Sequence, residues 1–186
     1  MASYTGHCVH TKCQNNNLIT ATPHYICNIK KIEKKMIATK FLITKERLYK
    51  RIFAASAYMV RAREAMGIPP AIGERMVITE DDRKMIDPLI ENSVNNVFCS
   101  IERYHRGSTV EYTDNSYTFY INVPNNYPAE NGKKLKTAVE SYIVNHTLQN
   151  WYANMKPDEA SIIAAQTQND TVTIQQLLMQ RTKPSI

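Results

Sequence analysis

The chain has 186 residues, 43% of them hydrophobic and 22% charged, with a formal net charge of +6. These totals describe one globular domain with room for a core and exclude a disordered polymer. No apolar run approaches the ~20 residues needed to cross a bilayer, and residues 1–7 have neither a basic start nor an apolar stretch, so neither a membrane span nor a secretory signal is expected.

Without secretion the four cysteines are expected to be reduced, and the sequons at Asn145 and Asn169 carry no meaning. The basicity is local. Residues 30–63 hold eleven Lys or Arg and only Glu33 and Glu46, a net of +9, whereas the remainder holds twelve basic and fifteen acidic residues.

Residues 1–43 read as an irregular N-terminal arm. Gln14-Asn15-Asn16-Asn17 is turn-like, residues 18–22 and 25–29 have the composition of short strands, and residues 30–40 form a basic connector. His7, Cys8, His10, Cys13, His24 and Cys27 fall within 21 residues, and such side chains suit tetrahedral zinc. Their order, Cys-x4-Cys and then His-x2-Cys, matches no compact knuckle. Incidental arm residues are the simpler reading, and no metal is assigned.

Thr44 is the predicted N-cap of a first helix, with Glu46 in the first turn and Ile43 and Leu48 at the positions of a hydrophobic staple. Leu48, Ile52, Ala55, Ser56 and Met59 share one face, while Lys45, Arg47, Lys50, Arg51, Arg61 and Arg63 lie elsewhere. Gly67 and Pro69-Pro70 end it, and a connection with a short helical turn at 79–86 follows.

A second helix is expected to open at Asp87-Pro88, Asp87 capping and Pro88 filling the first position, where a missing N–H costs nothing. Leu89, Ile90, Val94, Val97, Phe98 and Ile101 recur at three- and four-residue steps, and Gly107 stops the helix. Residues 110–113 and 117–123 alternate in the manner of strands around the turn Asp114-Asn115-Ser116. Leu135, Val139, Tyr142, Ile143, His146 and Trp151 mark a third helix, with Trp151 expected in the core. Pro157 with Asp158-Glu159 starts a fourth, striped by Ala160, Ile163, Ala164, Thr171, Ile174, Leu177 and Leu178 and weakened at Thr167 and Gln168. Arg181-Thr182-Lys183-Pro184 closes it. The expected fold is mainly α: a small four-helix bundle over 44–186, a β-hairpin projecting at 109–123, and the arm over 1–43.

No motif carries catalysis. Gly-x-Ser-x-Gly, Gly-x-x-x-x-Gly-Lys and His-Glu-x-x-His are all missing from the sequence, and Asp81 and Asp82 diverge on a helix. His105 and His146 lie far apart and read as packed or solvated residues. The expectation is a non-enzyme without cofactor.

Two surfaces remain for binding. Lys30, Lys31, Lys34, Lys35, Lys45, Arg47, Lys50 and Arg51 could meet nucleic-acid phosphates or an acidic partner, without reading sequence. The hairpin aromatics Tyr112, Tyr117, Phe119 and Tyr120 suit a contact between subunits, since tyrosine is common at interfaces and a hairpin has bare edges.

Asp87-Pro88-Leu89-Ile90-Glu91-Asn92, the hairpin at 109–123, residues 135–145, Leu148-Gln149-Asn150-Trp151-Tyr152, Pro157-Asp158-Glu159-Ala160, and Leu177-Leu178 with residues 181–184 stand in an order that resembles head–tail connector proteins of tailed phages. The pattern is similar to the ring or adaptor proteins in phages of Bacteroidota, including the crAss-like group, and covers about 79–184. The resemblance implies a structural part of a virion, made in the host cytoplasm and placed at the portal vertex. Such subunits form a ring, commonly of twelve copies, that docks on the portal protein, meets the next tail or ring protein and extends the channel for genomic DNA, with no membrane partner. The alternative is a nucleic-acid-binding protein that uses the basic segment 30–63.

Overall fold

The computed structural model describes residues 36–65, 67 and 77–182. The expected strands at 18–22 and 25–29, the Cys/His group at 7–27, Lys30, Lys31, Lys34 and Lys35, and the Pro69-Pro70 stop lie outside the described residues.

Residues 36–44 alternate about a strand axis. Phe41 and Ile43 are buried on one side, while Ala38, Lys40 and Leu42 are exposed on the other. They form β1 (Met36–Thr44), which corrects the reading of residues 36–40 as a basic connector. β1 pairs antiparallel along its whole length with β3 (Ser116–Pro124), and β2 (Thr109–Tyr112) pairs with the other edge of β3. The sheet order is β1-β3-β2, so the expected hairpin is present and a third strand covers its β3 side. Phe41 lies opposite Phe119, and their rings stack with centroids 5.1 Å apart.

α1 (Lys45–Glu64) follows β1 without a loop. The Lys45 N–H donates to the Asn115 carbonyl at 2.9 Å, tying the helix start to the hairpin turn. Ile43 and Leu48 are both fully buried, as a staple requires. Ser56, also buried, donates to the Phe53 carbonyl and accepts the Ile78 N–H at 3.1 Å.

A 3₁₀ turn (Glu80–Asp82) leads directly into α2 (Arg83–Tyr104), and the Asp82 carboxylate receives the Thr79 N–H at 2.8 Å. The helix therefore begins before the expected Asp87-Pro88 start, and Pro88 lies inside it. Proline there forfeits one bond near the helix start, and the Thr79–Asp82 pair has already set the direction of the chain. Asp87 is not a cap; it accepts the hydroxyl of Tyr49 on α1. Ile86, Ile90, Val94, Val97 and Ile101 form the buried stripe of α2.

α3 (Asn131–Tyr152) is the central helix, packed on α4 (Pro157–Met179), α2, α1 and β1. Its buried residues, among them Leu135, Val139, Ile143, Val144, Leu148 and Tyr152, are spread around the helix because neighbours cover several sides. Trp151 is half-buried at the core margin. In α4 the weak centre is explained by Thr167, which is buried with its hydroxyl returned to the Ile163 carbonyl at 3.0 Å. The expected mainly helical fold is the observed one, with four α-helices among the described residues.

Candidate functional site

The hairpin aromatics divide by face. Tyr117 and Phe119 point inward and are buried, so as an inter-subunit surface they are corrected to core residues. Cross-strand pairing makes them neighbours of Ile43 and Phe41, and strand period two then fixes their side. Tyr112 is half-exposed; its hydroxyl donates to Asn95 at 2.5 Å and its ring meets Tyr117 edge-on. Tyr120 lies on the outer face, where its hydroxyl donates to Glu111 at 2.9 Å and Lys40 Nζ lies 5.1 Å from its ring centroid. Lys40, Tyr120 and Glu111 thus form a ladder across the sheet.

Both outer edges of the sheet are open among the described residues: β1 and β2 each pair only with β3. β1 runs for nine residues and carries Ile37 and Leu42 exposed, at 50% and 44%. Such an edge presents unpaired backbone groups beside apolar side chains.

The basic residues of α1 also divide. Lys45 is mostly buried, 3.7 Å from Glu91 and over the Tyr117 ring. Lys50 faces Glu46 at 3.6 Å on the surface. Arg47 and Arg51 turn instead to α3, where Glu140 is fully buried. Glu140 Oε2 lies 3.0 Å from Arg47 Nε and 3.4 Å from Arg51 Nη1, and Oε1 lies 3.9 Å from Lys136 Nζ. Arg51 also donates to Ser141 at 3.0 Å. A buried carboxylate costs several kcal/mol unless it is paired, so these contacts are what permit Glu140 to sit between helices (an effect on the order of 3–5 kcal/mol when one partner is lost). Neither Glu140 nor Lys136 stands out as a site residue in the sequence. The available signal was a Glu directly after Val139 in an apolar run, four residues beyond a Lys.

A cleft of about 410 Å³ opens where α1 and α2 begin, lined by Lys45, Glu46, Tyr49, Arg83, Asp87 and Asn115 among others. Arg83 stacks over the Tyr49 ring at 4.4 Å and pairs with Glu46 and Glu80. Burial, and then the bond to Asp87, push the Tyr49 phenol well above its ordinary range. The bond from this phenol to Asp87 ties α1 to α2.

One Ser–His contact also invites a catalytic reading. Ser93 Oγ lies 2.8 Å from His146 Nδ1, but it donates to the Leu89 carbonyl at 2.7 Å and is fully buried. Its single proton is used within the helix and no substrate can reach the oxygen, so the pair joins α2 to α3. Among the described residues no group of three or more His, Cys, Asp or Glu could hold a metal ion, and no helix is long and apolar enough to cross a membrane.

Comparison with protein-family models, with curated proteins and with solved structures finds no match.

Proposed function

We propose that the chain is a structural subunit that packs side by side with copies of itself, and that the assembly is a head–tail connector ring of a tailed phage. In this reading the ring docks on the portal protein, meets the next tail or ring protein on its far side, and leaves a channel for genomic DNA. The protein would act as a virion part and not as an enzyme.

The observation that carries the reading is the three-stranded sheet, both of whose edges are open among the described residues. An exposed nine-residue edge with Ile37 and Leu42 beside it is a liability for a solitary protein and an asset for a subunit that meets its neighbour. Because the β1 edge and the β2 edge differ, a contact joining one to the other is head-to-tail, and such contacts close into rings when the rotation permits. The order of sequence elements over 79–184 supplies the phage context.

Native mass spectrometry of the full chain at high concentration tests the proposal. A single closed high-order multiple is the expected result. A monomer at every concentration, both alone and in the presence of the portal ring, would overturn it.

A further inference from the structure

The cations of α1 that face Glu140 are arranged differently from a simple buried ion pair. One carboxylate needs one cation, yet Arg47, Arg51 and Lys136 all reach Glu140. Burial makes Asp170 hold its proton more tightly than usual, opposed by Asn145, which donates to it at 2.7 Å, and by nearby Arg51. With both carboxyls ionised the group still carries a charge of +1.

The excess lies at the surface. Arg47 is 57% exposed and commits only Nε to Glu140, which leaves both Nη groups without a partner among the described residues. Lys136 is also partly exposed. Glu140 therefore anchors the exposed guanidinium through Nε alone and leaves both Nη groups for another anion, which lowers the entropy lost when one binds.

α1 continues the pattern. Arg47, Lys50, Ala54, Tyr58 and Arg61 are all exposed and fall on one stripe of the helix, with Tyr58 74% exposed. At 1.5 Å per residue the stripe is about 21 Å long. Cations spread over such a length match a continuous line of negative charge better than a single acidic side chain, and a duplex supplies about one charge per 1.7 Å of axis.

We infer that the stripe from Arg47 to Arg61, with Lys136 beside it, binds the phosphate backbone of duplex DNA without reading its sequence, and that Glu140 is the positioning residue for Arg47. The inference rests on the proposed reading for the presence of DNA, and on the charge geometry for the residues. Lys45, buried against Glu91, takes no part.

The test is fluorescence anisotropy of the full chain with a labelled duplex of mixed sequence, titrated with salt up to roughly 200 mM. The wild type is expected to bind weakly and to lose affinity steeply with salt. Arg47→Gln combined with Lys136→Gln should reduce the slope of log K against log salt by roughly 2, Arg61→Gln alone by about 1, and the control Arg103→Gln by nothing. Arg61 has no described side-chain partner, so its variant reads binding without a folding penalty. An unchanged slope in these variants, or no binding by the wild type at low salt, would overturn the inference. So would displacement by poly-glutamate at lower charge concentration than by unlabelled duplex, which would assign the face to an acidic protein. Native mass spectra of the chain at high concentration, alone and with the portal ring, separate the two proposals: a monomer in both that still shows the slope keeps this inference and removes the ring, and a ring without the slope does the reverse.

Discussion

His105 Nε2 lies 3.2 Å from the carbonyl oxygen of Leu178, 73 residues further along the chain. The other ring nitrogen, Nδ1, lies 2.8 Å from the Asn122 carbonyl, so one buried imidazole stands between the end of α2, β3 and the last turn of α4, and a neutral ring donates to one of the two carbonyls. The Leu178 oxygen is one of the carbonyls a helix end leaves without an internal donor, and Arg181 Nη1 reaches it too, at 2.7 Å. His105→Phe should therefore cost about 1–3 kcal/mol, the range for leaving a buried polar group unpaired. The cost should grow when Arg181→Ala has already removed the guanidinium donor at that carbonyl, a coupling that a urea double-mutant cycle would read. Strict additivity would mean that the imidazole and the guanidinium do not act on the same carbonyl.

Glu140→Gln removes the one charge on which Arg47, Arg51 and Lys136 converge. The variant is expected to lose about 3 kcal/mol, because three cations would then face one another without their carboxylate. Added salt should recover part of the loss, since these cations are partly exposed and open to screening. Equal stability of the two proteins in urea at low salt would show that the cluster is idle.

His146 gives a pH dependence whose sign follows from its burial. Desolvation lowers its affinity for protons in the folded chain. The unfolded chain then takes up the proton first as pH falls through about 6.5, so this residue's contribution is full at neutral pH and is lost below it. Thermal melts at pH 7.5 and pH 5 should differ more for the wild type than for His146→Gln. An identical pH profile in the two proteins would contradict the assignment.

The helical half of the fold was legible because its signals are local. Ile86 to Ile101, Leu135 to Leu148 and Ala160 to Leu178 repeat at helical steps, and a repeat survives without knowledge of the partner. β1 was not legible, since Ile37, Thr39, Phe41 and Ile43 alternate inside a lysine-rich stretch and their partner strand lies about eighty residues away. Asp87-Pro88 misled for a related reason: the pair has the form of a helix start, but Tyr49, distant in sequence, claims the carboxylate. The same holds for the site. Arg47 and Arg51 could be named from charge, while Glu140, which orients them, looked like any surface glutamate until α1 was laid on α3. Tyr117 and Phe119 could be named as hairpin aromatics, but their side of the sheet depended on register.

Gly107 follows α2 with φ at +79°, and a Cβ there would stand 3.0 Å from Asn122 Nδ2, which donates to the Gly107 carbonyl at 2.8 Å. Gly107→Ala meets both the left-handed penalty and this contact. A loss of about 1–2 kcal/mol is expected from the backbone alone. Gly67→Ala, with φ at +91° and no described atom within 4 Å of the Cβ, should cost no more than the backbone share. A larger loss at Gly67 than at Gly107 in parallel melts would reject the argument.

The edge of β1 separates stability from assembly. Leu42 is on the outer face, opposite Thr118, and is 44% exposed, so its side chain contributes little to the core. Leu42→Lys places a charge on the open edge, a device that natural sheets use to prevent edge pairing. Monomer stability should stay within about 0.5 kcal/mol of the wild type, as for other surface changes. Self-association should fall sharply at the same protein concentration, measured by sedimentation velocity. Phe41→Ala supplies the contrast: Phe41 faces inward and stacks on Phe119, so it should lose stability, on the order of 3–5 kcal/mol, before it alters any contact between copies. If Leu42→Lys assembles as the wild type does, β1 is not the surface through which copies meet, and the head-to-tail pairing of the β1 edge with the β2 edge is wrong.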